Sequence, residues 1–277
     1  MIRPMTVSDI PEGLRLCRLS GWNQLEEDWR AFLDSPDGGG RIAERDARAV
    51  GTVAYLRYGE RFSWLSMMLV DPEERRSGIG SRLMEAALDA LAGEKCVMLD
   101  ATPLGEPLYR RFGFTGECEF VRAKTIVVPD FFGRAADEVR PMGTRDLKDV
   151  FARDHEVFGA DRSALLTSFY QRAPELAWIA ADGNGYCFGR PGHLYFQIGP
   201  VVAEDEATAR ELIGRCLSSR AGCKVAMDVP RSADQWLTWL STAGFTIERP
   251  FLRMRRGGRE SAGLRAMQFG IAGPEFG

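Results

Sequence analysis

The sequence predicts a mixed α/β protein (α+β, with a mixed sheet) built from two tandem copies of one unit, the second copy degenerate. Three echoes in register support this. Ile2-Arg3-Pro4-Met5 returns as Val139-Arg140-Pro141-Met142, each followed by an acidic-apolar pair, Asp9-Ile10 and Asp146-Leu147. Val97-Met98-Leu99-Asp100 and Val225-Ala226-Met227-Asp228 are strand-like runs ending in a carboxylate, with Pro103 and Pro230 soon after. A short helix-like stretch then closes in Gly113-Phe114 and in Gly244-Phe245. The units should span 1–130 and 137–277, divided between Pro129 and Glu138, where Pro129, Asp130, Gly133 and Asp137 interrupt the periodicity.

Within the first unit, Ile2 to Met5 reads as a short strand. Asp9 to Leu19 carries Ile10, Leu14 and Cys17 at helical spacing, with Pro11 in the first turn. Arg41 to Ala43 and Val50 to Tyr58 read as strands around a turn at Glu44 to Arg48. Phe62 to Val70 is nearly continuous apolar sequence, as expected of a central strand covered on both faces. A helix from Ser81 follows, with Leu83, Ala86, Ala87, Ala90 and Leu91 on one stripe, and then a strand over Val97 to Ala101.

Composition narrows the function. The 277 residues include 45% hydrophobic and 27% charged, the balance of a globular protein, and the net charge is −3. No long basic block exists, so nucleic acid is not an expected partner; Arg253, Arg255, Arg256 and Arg259 read as a solvated strand end. Cys17, Cys96, Cys118, Cys187, Cys216 and Cys223 form no CxxC pair and read as buried thiols. With two histidines, His155 and His193, no metal is expected. No apolar run reaches the ~20 residues that span a bilayer, and no leader is recognisable, so the expected location is the cytoplasm, with no membrane partner.

The most informative stretch is Leu69-Val70-Asp71-Pro72-Glu73-Glu74-Arg75-Arg76-Ser77-Gly78-Ile79-Gly80. A buried strand stops at Pro72, a turn with two close glycines follows, and an amphipathic helix begins. The first N–H groups of a helix lack intrahelical partners and carry the positive end of its dipole. Glycines there let a phosphate approach the backbone, and Arg75 and Arg76 add full charges at the rim. Glycines alone would equally suit a plain strand-to-helix turn.

The spacing Arg75-x-x-Gly78-x-Gly80 after a Val-x-Pro strand end resembles the signature of the GNAT superfamily of acetyl-CoA-dependent N-acetyltransferases. A second signature, a tyrosine followed by a short helix ending in Gly-Phe, is matched by Leu108-Tyr109-Arg110-Arg111-Phe112-Gly113-Phe114. The resemblance covers the first ~130 residues, the size of one domain; the second half resembles the auxiliary domain that follows it in a bacterial subgroup. It implies two tandem GNAT-like domains, an acetyl-CoA-binding domain over 1–130 and a degenerate one over 137–277. It also implies that Met68, Leu69 and Val70 hold the pantetheine arm and that the amides of Arg76, Ser77, Gly78, Ile79, Gly80 and Ser81 hold the diphosphate. Thr102 stands where the family often has Asn, and Gly105 where Ala is usual.

By the same resemblance, Tyr109 protonates the departing thiolate; a tyrosine packed on the sheet is the alternative. Many relatives carry a glutamate base on the fourth strand, but Ser63 to Met68 has no carboxylate, leaving Asp28, Asp100 and Glu106 as candidates or a water chain. Trp22, Asn23, Gln24, Asp28 and Trp29 are candidates for an acceptor pocket suited to a cationic amine, or the two tryptophans simply pack the first helix pair. In the second half, Gly199 to Ala207 has no Arg-x-x-Gly-x-Gly, Glu204, Asp205 and Glu206 would repel phosphate, and Leu240 stands where Tyr109 would. His155, Asp161 and Arg162 are contributors to the acceptor site or surface residues, and Gly270 to Gly277 carries no signal. The expected activity is acetylation of a primary amine of a small metabolite. Acetylation of a protein lysine or N-terminus, or acyl-CoA sensing without catalysis, are the alternatives. The oligomeric state is not legible.

Overall fold

The computed structural model of the chain describes residues 1–127, 138–218, 220–258 and 263–277. The expected boundary, with Pro129, Asp130, Gly133 and Asp137, and the position of Arg259 lie outside them.

The first half runs β1 (Ile2–Pro4), α1 (Ile10–Leu19), α2 (Glu26–Leu33), β2 (Gly38–Arg45), β3 (Arg48–Tyr58), β4 (Phe62–Val70), α3 (Ile79–Ala90), β5 (Cys96–Ala101), α4 (Glu106–Arg111) and β6 (Thr115–Ile126). The second half repeats the order with β7 (Val139–Pro141), α5 (Leu147–Phe158), α6 (Ser163–Arg172), β8 (Trp178–Ala180), β9 (Tyr186–Arg190), β10 (Phe196–Val202), α7 (Glu206–Ser218), β11 (Lys224–Pro230), α8 (Asp234–Thr242) and β12 (Thr246–Gly257), ending in β13 (Gln268–Gly270). The repeat extends to side chains. Arg3 pairs with Asp9, whose carboxylate accepts from the Thr6 N–H, and Arg140 pairs with Asp146, which accepts from the Gly143 N–H. Each clasp fixes the entry of the first helix of its half.

All thirteen described strands lie in one sheet, ordered β1-β2-β3-β4-β5-β12-β6-β11-β10-β9-β8-β7, with β13 on β10. The two halves do not form separate sheets, because β6 and β12 are exchanged between them. β12 of the second half fits antiparallel between β5 and β6, and β6 of the first half pairs over Phe120 to Ile126 with β11. The two exchanged strands meet in the centre, where Phe120 faces Phe251.

Burial follows the residue pattern. β3 and β4 are buried on both faces almost throughout, and α3 turns Ile79, Leu83, Met84 and Ala87 inward. A second layer joins the halves: Trp29, Phe32, Phe158, Phe169 and Phe276 form one buried cluster, each such ring contributing about 1.5–3 kcal/mol by leaving water. Of the arginines expected at a solvated strand end, Arg256 is exposed, but two others are not. Arg253 is buried against Asp100, and Arg255 pairs with Glu117. The six cysteines are free thiols, four buried and Cys118 and Cys223 half-exposed. No helix among the described residues is long and apolar enough to cross a membrane.

Candidate active site

β4 and β5 are parallel but pair only at Ser63–Val97 and Trp64–Met98. Beyond that point they diverge, so the β5-facing edge of β4 from Leu65 to Val70 has no strand partner. A bulge at Met67, held at φ +49°, turns this edge, and the Thr52 hydroxyl secures it by donating to the Met67 carbonyl at 3.0 Å. Unpaired backbone groups in a wedge are a template for an extended, amide-bearing ligand.

The wedge opens onto a cavity of about 1040 Å³ lined by Met68, Leu69, Val70, Arg75, Arg76, Gly78, Ile79, Gly80, Ser81, Thr102 and Tyr109. The turn into α3 is shaped by its end points. Asp71 accepts from the Glu73 N–H and from Arg15 and Arg48 at 3.2 and 3.0 Å, anchoring the strand end. Gly78 takes φ +80° as the residue preceding α3, a conformation that strains any side chain. Gly78, Ile79, Gly80 and Ser81 at the start of α3 line the cavity together with Arg75 and Arg76. Ser77 is outside the lining, its hydroxyl donating to the Glu74 carbonyl at 2.6 Å, which leaves only its backbone for a ligand.

Tyr109 sits on α4 against the wedge. Its ring lies over Gly105, where a Cβ would come within 2.9 Å, and edge-on to Phe114 at 6.1 Å. The glycine that departs from the family's alanine is the residue that admits this ring. The Tyr109 hydroxyl bonds to no described protein group, and burial pushes its pKa up, so it is a proton donor at neutral pH. Thr102 caps the turn before α4, accepting from the Gly105 N–H at 3.2 Å.

Behind Tyr109 a smaller chamber of about 40 Å³ branches off, lined by Trp22, Asn23, Gln24, Met68, Asp100, Tyr109, Arg122, Arg249, Phe251, Pro274 and Glu275 among others. Both halves build it. Of the acceptor residues expected from sequence, Trp22, Asn23 and Gln24 are here. Asn23 is already committed, its side chain receiving the Leu194 and Tyr195 N–H groups and donating to the Tyr195 carbonyl. The Gln24 carbonyl oxygen is buried with no partner. Asp28 and Trp29 are elsewhere, a correction to the sequence reading. Asp28 is 2% exposed, caps α2 through the Leu25 N–H and pairs with Arg172 at 2.7 Å, while Trp29 is fully buried beneath Gly13. Arg162 is likewise no surface residue: it is buried and clasps Asp154 through two 2.8 Å bonds.

Among the base candidates, Asp28 and Asp100 are each spent on an arginine and Glu106 on Arg110. No group of His, Cys, Asp or Glu suited to a metal occurs among the described residues.

The second half has the same wedge, and the chain fills it. β10 and β11 are parallel only over Phe196–Ile198 against Val225–Met227. Past this point β13 pairs with β10, and the Ile271 N–H donates to the Asp228 carbonyl of β11 at 2.9 Å. A Cβ on Gly199 would stand 2.0 Å from the Ile271 carbonyl oxygen. The tail expected to carry no signal therefore occupies the slot that is open in the first half. It then crosses to the first half, where Trp64 donates to the Pro274 carbonyl at 3.0 Å and Tyr58 to that of Phe276 at 2.8 Å. Leu240, standing where Tyr109 would, is buried core.

A duplicated sheet with one open parallel wedge, a glycine turn at a helix start and a tyrosine across from it defines an acyltransferase of the GNAT type. Comparison with known families agrees: residues 9–114 match the acetyltransferase (GNAT) family and residues 150–270 an acetyltransferase (GNAT) domain. The chain belongs to the GNAT acetyltransferases, as a tandem member. It is similar to the uncharacterized N-acetyltransferase YitH of Bacillus subtilis, 25% identical over 223 residues covering 78% of this chain and 77% of that one. It is also similar to the holothin acyltransferase of a Pseudoalteromonas species, 24% identical over 261 residues, 92% of this chain and 87% of that one. Among solved structures, a putative acetyltransferase from Pyrococcus horikoshii superposes with TM-score 0.83 at 22% identity, over all of this chain and 95% of that one. A tandem GNAT protein from the clavulanic acid biosynthesis pathway does so at 0.69 and 15% identity, covering 94% of this chain and 99% of that one.

Proposed function

We propose that the chain transfers the acetyl group of acetyl-CoA to a primary amine of a small metabolite by direct attack, using the first-half wedge alone. The observation that carries this is the Tyr109 hydroxyl, protonated and without a partner among the described residues, where the lining of the large cavity and that of the small chamber meet. Acetyl-CoA supplies a thioester carbonyl activated toward attack. The unpaired edge of β4 at Met68, Leu69 and Val70 would bind the amide-bearing arm, and the amides from Arg76 to Ser81, with Arg75, the diphosphate. A β4 N–H would donate to the carbonyl oxygen as negative charge builds on it. As the new C–N bond forms and the C–S bond breaks, Tyr109 gives its proton to the sulfur. The orphan Gln24 carbonyl can accept an N–H of the entering amine; no carboxylate of the chamber is free to act as base, so water takes the amine's proton.

A chamber of about 40 Å³ favours a small acceptor over a protein lysine or N-terminus, which needs a longer groove. The experiment is release of free CoA over a panel of small amines. Turnover with at least one of them is expected; tight acetyl-CoA binding with no thiol released by any amine would make the protein a sensor.

A further inference from the structure

Arg249 of β12 stands directly opposite Arg122 of β6 in the strand register, and both line the small chamber. Like charges facing each other across a strand pair cost stability. Arg122 is neutralised: it donates twice to Asp228, at 2.8 Å each, and once to the Tyr195 hydroxyl at 2.6 Å. Arg249 is not. It forms no ion pair with a described residue, its Nε is buried without a hydrogen-bond partner, and its guanidinium rests over the Phe251 ring at 4.9 Å.

The acids around it are already engaged. Glu248 receives Lys124 at 2.6 Å, Asp100 is held by Arg253, and Glu275 is paired with Arg190. Burial, reinforced by Arg122, pushes the Arg249 pKa down, but a guanidinium remains charged at neutral pH. The chamber therefore contains one uncompensated cation.

Its position separates two anionic ligands. The rim arginines and the first residues of α3 line the large cavity and not the small chamber, whereas Arg249, with Tyr109, Asp100 and Thr102, lines both. Near it, the orphan Gln24 oxygen calls for an N–H donor. A planar guanidinium matches a carboxylate, through two parallel hydrogen bonds.

We propose that Arg249 binds a carboxylate on the acceptor, so that the substrates are small amino acids or other aminocarboxylates rather than simple amines or polyamines. This rests on the acetyltransferase function proposed above. It assigns the second half a direct part in substrate choice, through the exchanged strand.

The test compares glycine, alanine, serine and β-alanine with their methyl esters and with ethylamine and putrescine, by thiol release, in the wild type and in Arg249→Gln and Arg249→Lys. We expect free acids to exceed esters at least tenfold in kcat/KM, and Arg249→Gln to erase the preference through KM for the acids, with acetyl-CoA KM unchanged. Arg249→Lys should restore part of it. Because Arg249→Gln relieves a like-charge pair, its unfolding midpoint should hold or rise. Equal use of acids and esters by the wild type, a raised acetyl-CoA KM in Arg249→Gln, or a lowered midpoint would each overturn the proposal. Calorimetry with CoA and N-acetylglycine separates it from the catalytic reading. If no amine turns over, binding lost in Arg249→Gln still supports carboxylate recognition, and absence of binding to the wild type refutes it.

Discussion

Arg253 of β12 donates to both carboxylate oxygens of Asp100 on β5, at 2.8 and 2.9 Å. Arg122 of β6 does the same to Asp228 of β11. Each arginine lies eight residues past the Phe of its Gly-Phe pair (114 to 122, 245 to 253). Each half thus sends its last strand into the other, carrying the cation that neutralises the other's buried acid.

Arg253→Met strands Asp100 as a buried unpaired charge and should cost about 3–5 kcal/mol, whereas the double variant Asp100→Leu/Arg253→Met should recover much of that. Urea unfolding of the three proteins checks this. A double variant no more stable than the single one would mean that Arg253 acts through its stacking on Trp64 and Phe120 instead.

Gly80→Asp should move stability and binding in opposite directions. An acid in the first turn of α3 gains about 0.3–1 kcal/mol from the helix dipole, and the site has room, with Leu108 at 3.4 Å. The same charge should repel the diphosphate and weaken acetyl-CoA by at least about tenfold, about 1.4 kcal/mol. Unchanged affinity in calorimetry would remove the turn from the cofactor site.

Tyr109→Phe should lower kcat about 10²-fold, the usual worth of a positioned proton donor, with acetyl-CoA affinity little altered. A variant that turns over at the wild-type rate would leave Tyr109 as packing alone.

Asp9 provides the pH test. The Arg3 guanidinium, against the opposing effect of burial, together with Thr6 holds its carboxyl down to about 2. A depressed folded pKa means stability that is full above the ordinary carboxylate value and lost as pH falls toward 2. Asp9→Asn should therefore be less stable than the wild type at pH 7, by up to about 1 kcal/mol for the lost ion pair with Arg3, with the gap narrowing between pH 4 and 2. A gap independent of pH in urea midpoints would show that the carboxylate charge is not what stabilises.

Gly199→Ala should release the tail from the second wedge. The new Cβ would collide with the Ile271 carbonyl, and the backbone is held at φ +147°. A lowered unfolding temperature and faster hydrogen exchange at Ile271 are expected; exchange as slow as in the wild type would mean that the strand shifts to absorb the methyl.

The duplication, the order of its elements and the glycine turn were legible because they are local: turn glycines, apolar periodicity and strand ends leave marks in neighbouring residues. The helix and strand bounds shift by a residue or two, as with α3, which starts at Ile79 rather than Ser81. The strand exchange was not legible. β12 reads as a strand from its own residues, but nothing local says which edges it joins. Asp28 and Trp29 were misplaced because an acid and a tryptophan at a helix start look the same whether they bind a ligand or cap and pack the helix. The small chamber's Pro274, Glu275 and Arg249 come from the far end of the chain and lack a motif. One signal was available: setting the repeats side by side aligns Asp100 with Asp228 and Arg122 with Arg253, and so pairs four charges that looked unrelated.

The exchanged strands also set a timetable for synthesis. As the chain leaves the ribosome at about 5–20 residues per second, β5 and β6 are complete long before β12 emerges, yet β12 is the strand that must lie between them. The open wedge can thus acquire its finished wall only after the chain has been made through β12. The protein cannot ripen half by half, and an interrupted translation product would carry two bare sheet edges in place of a working catalyst.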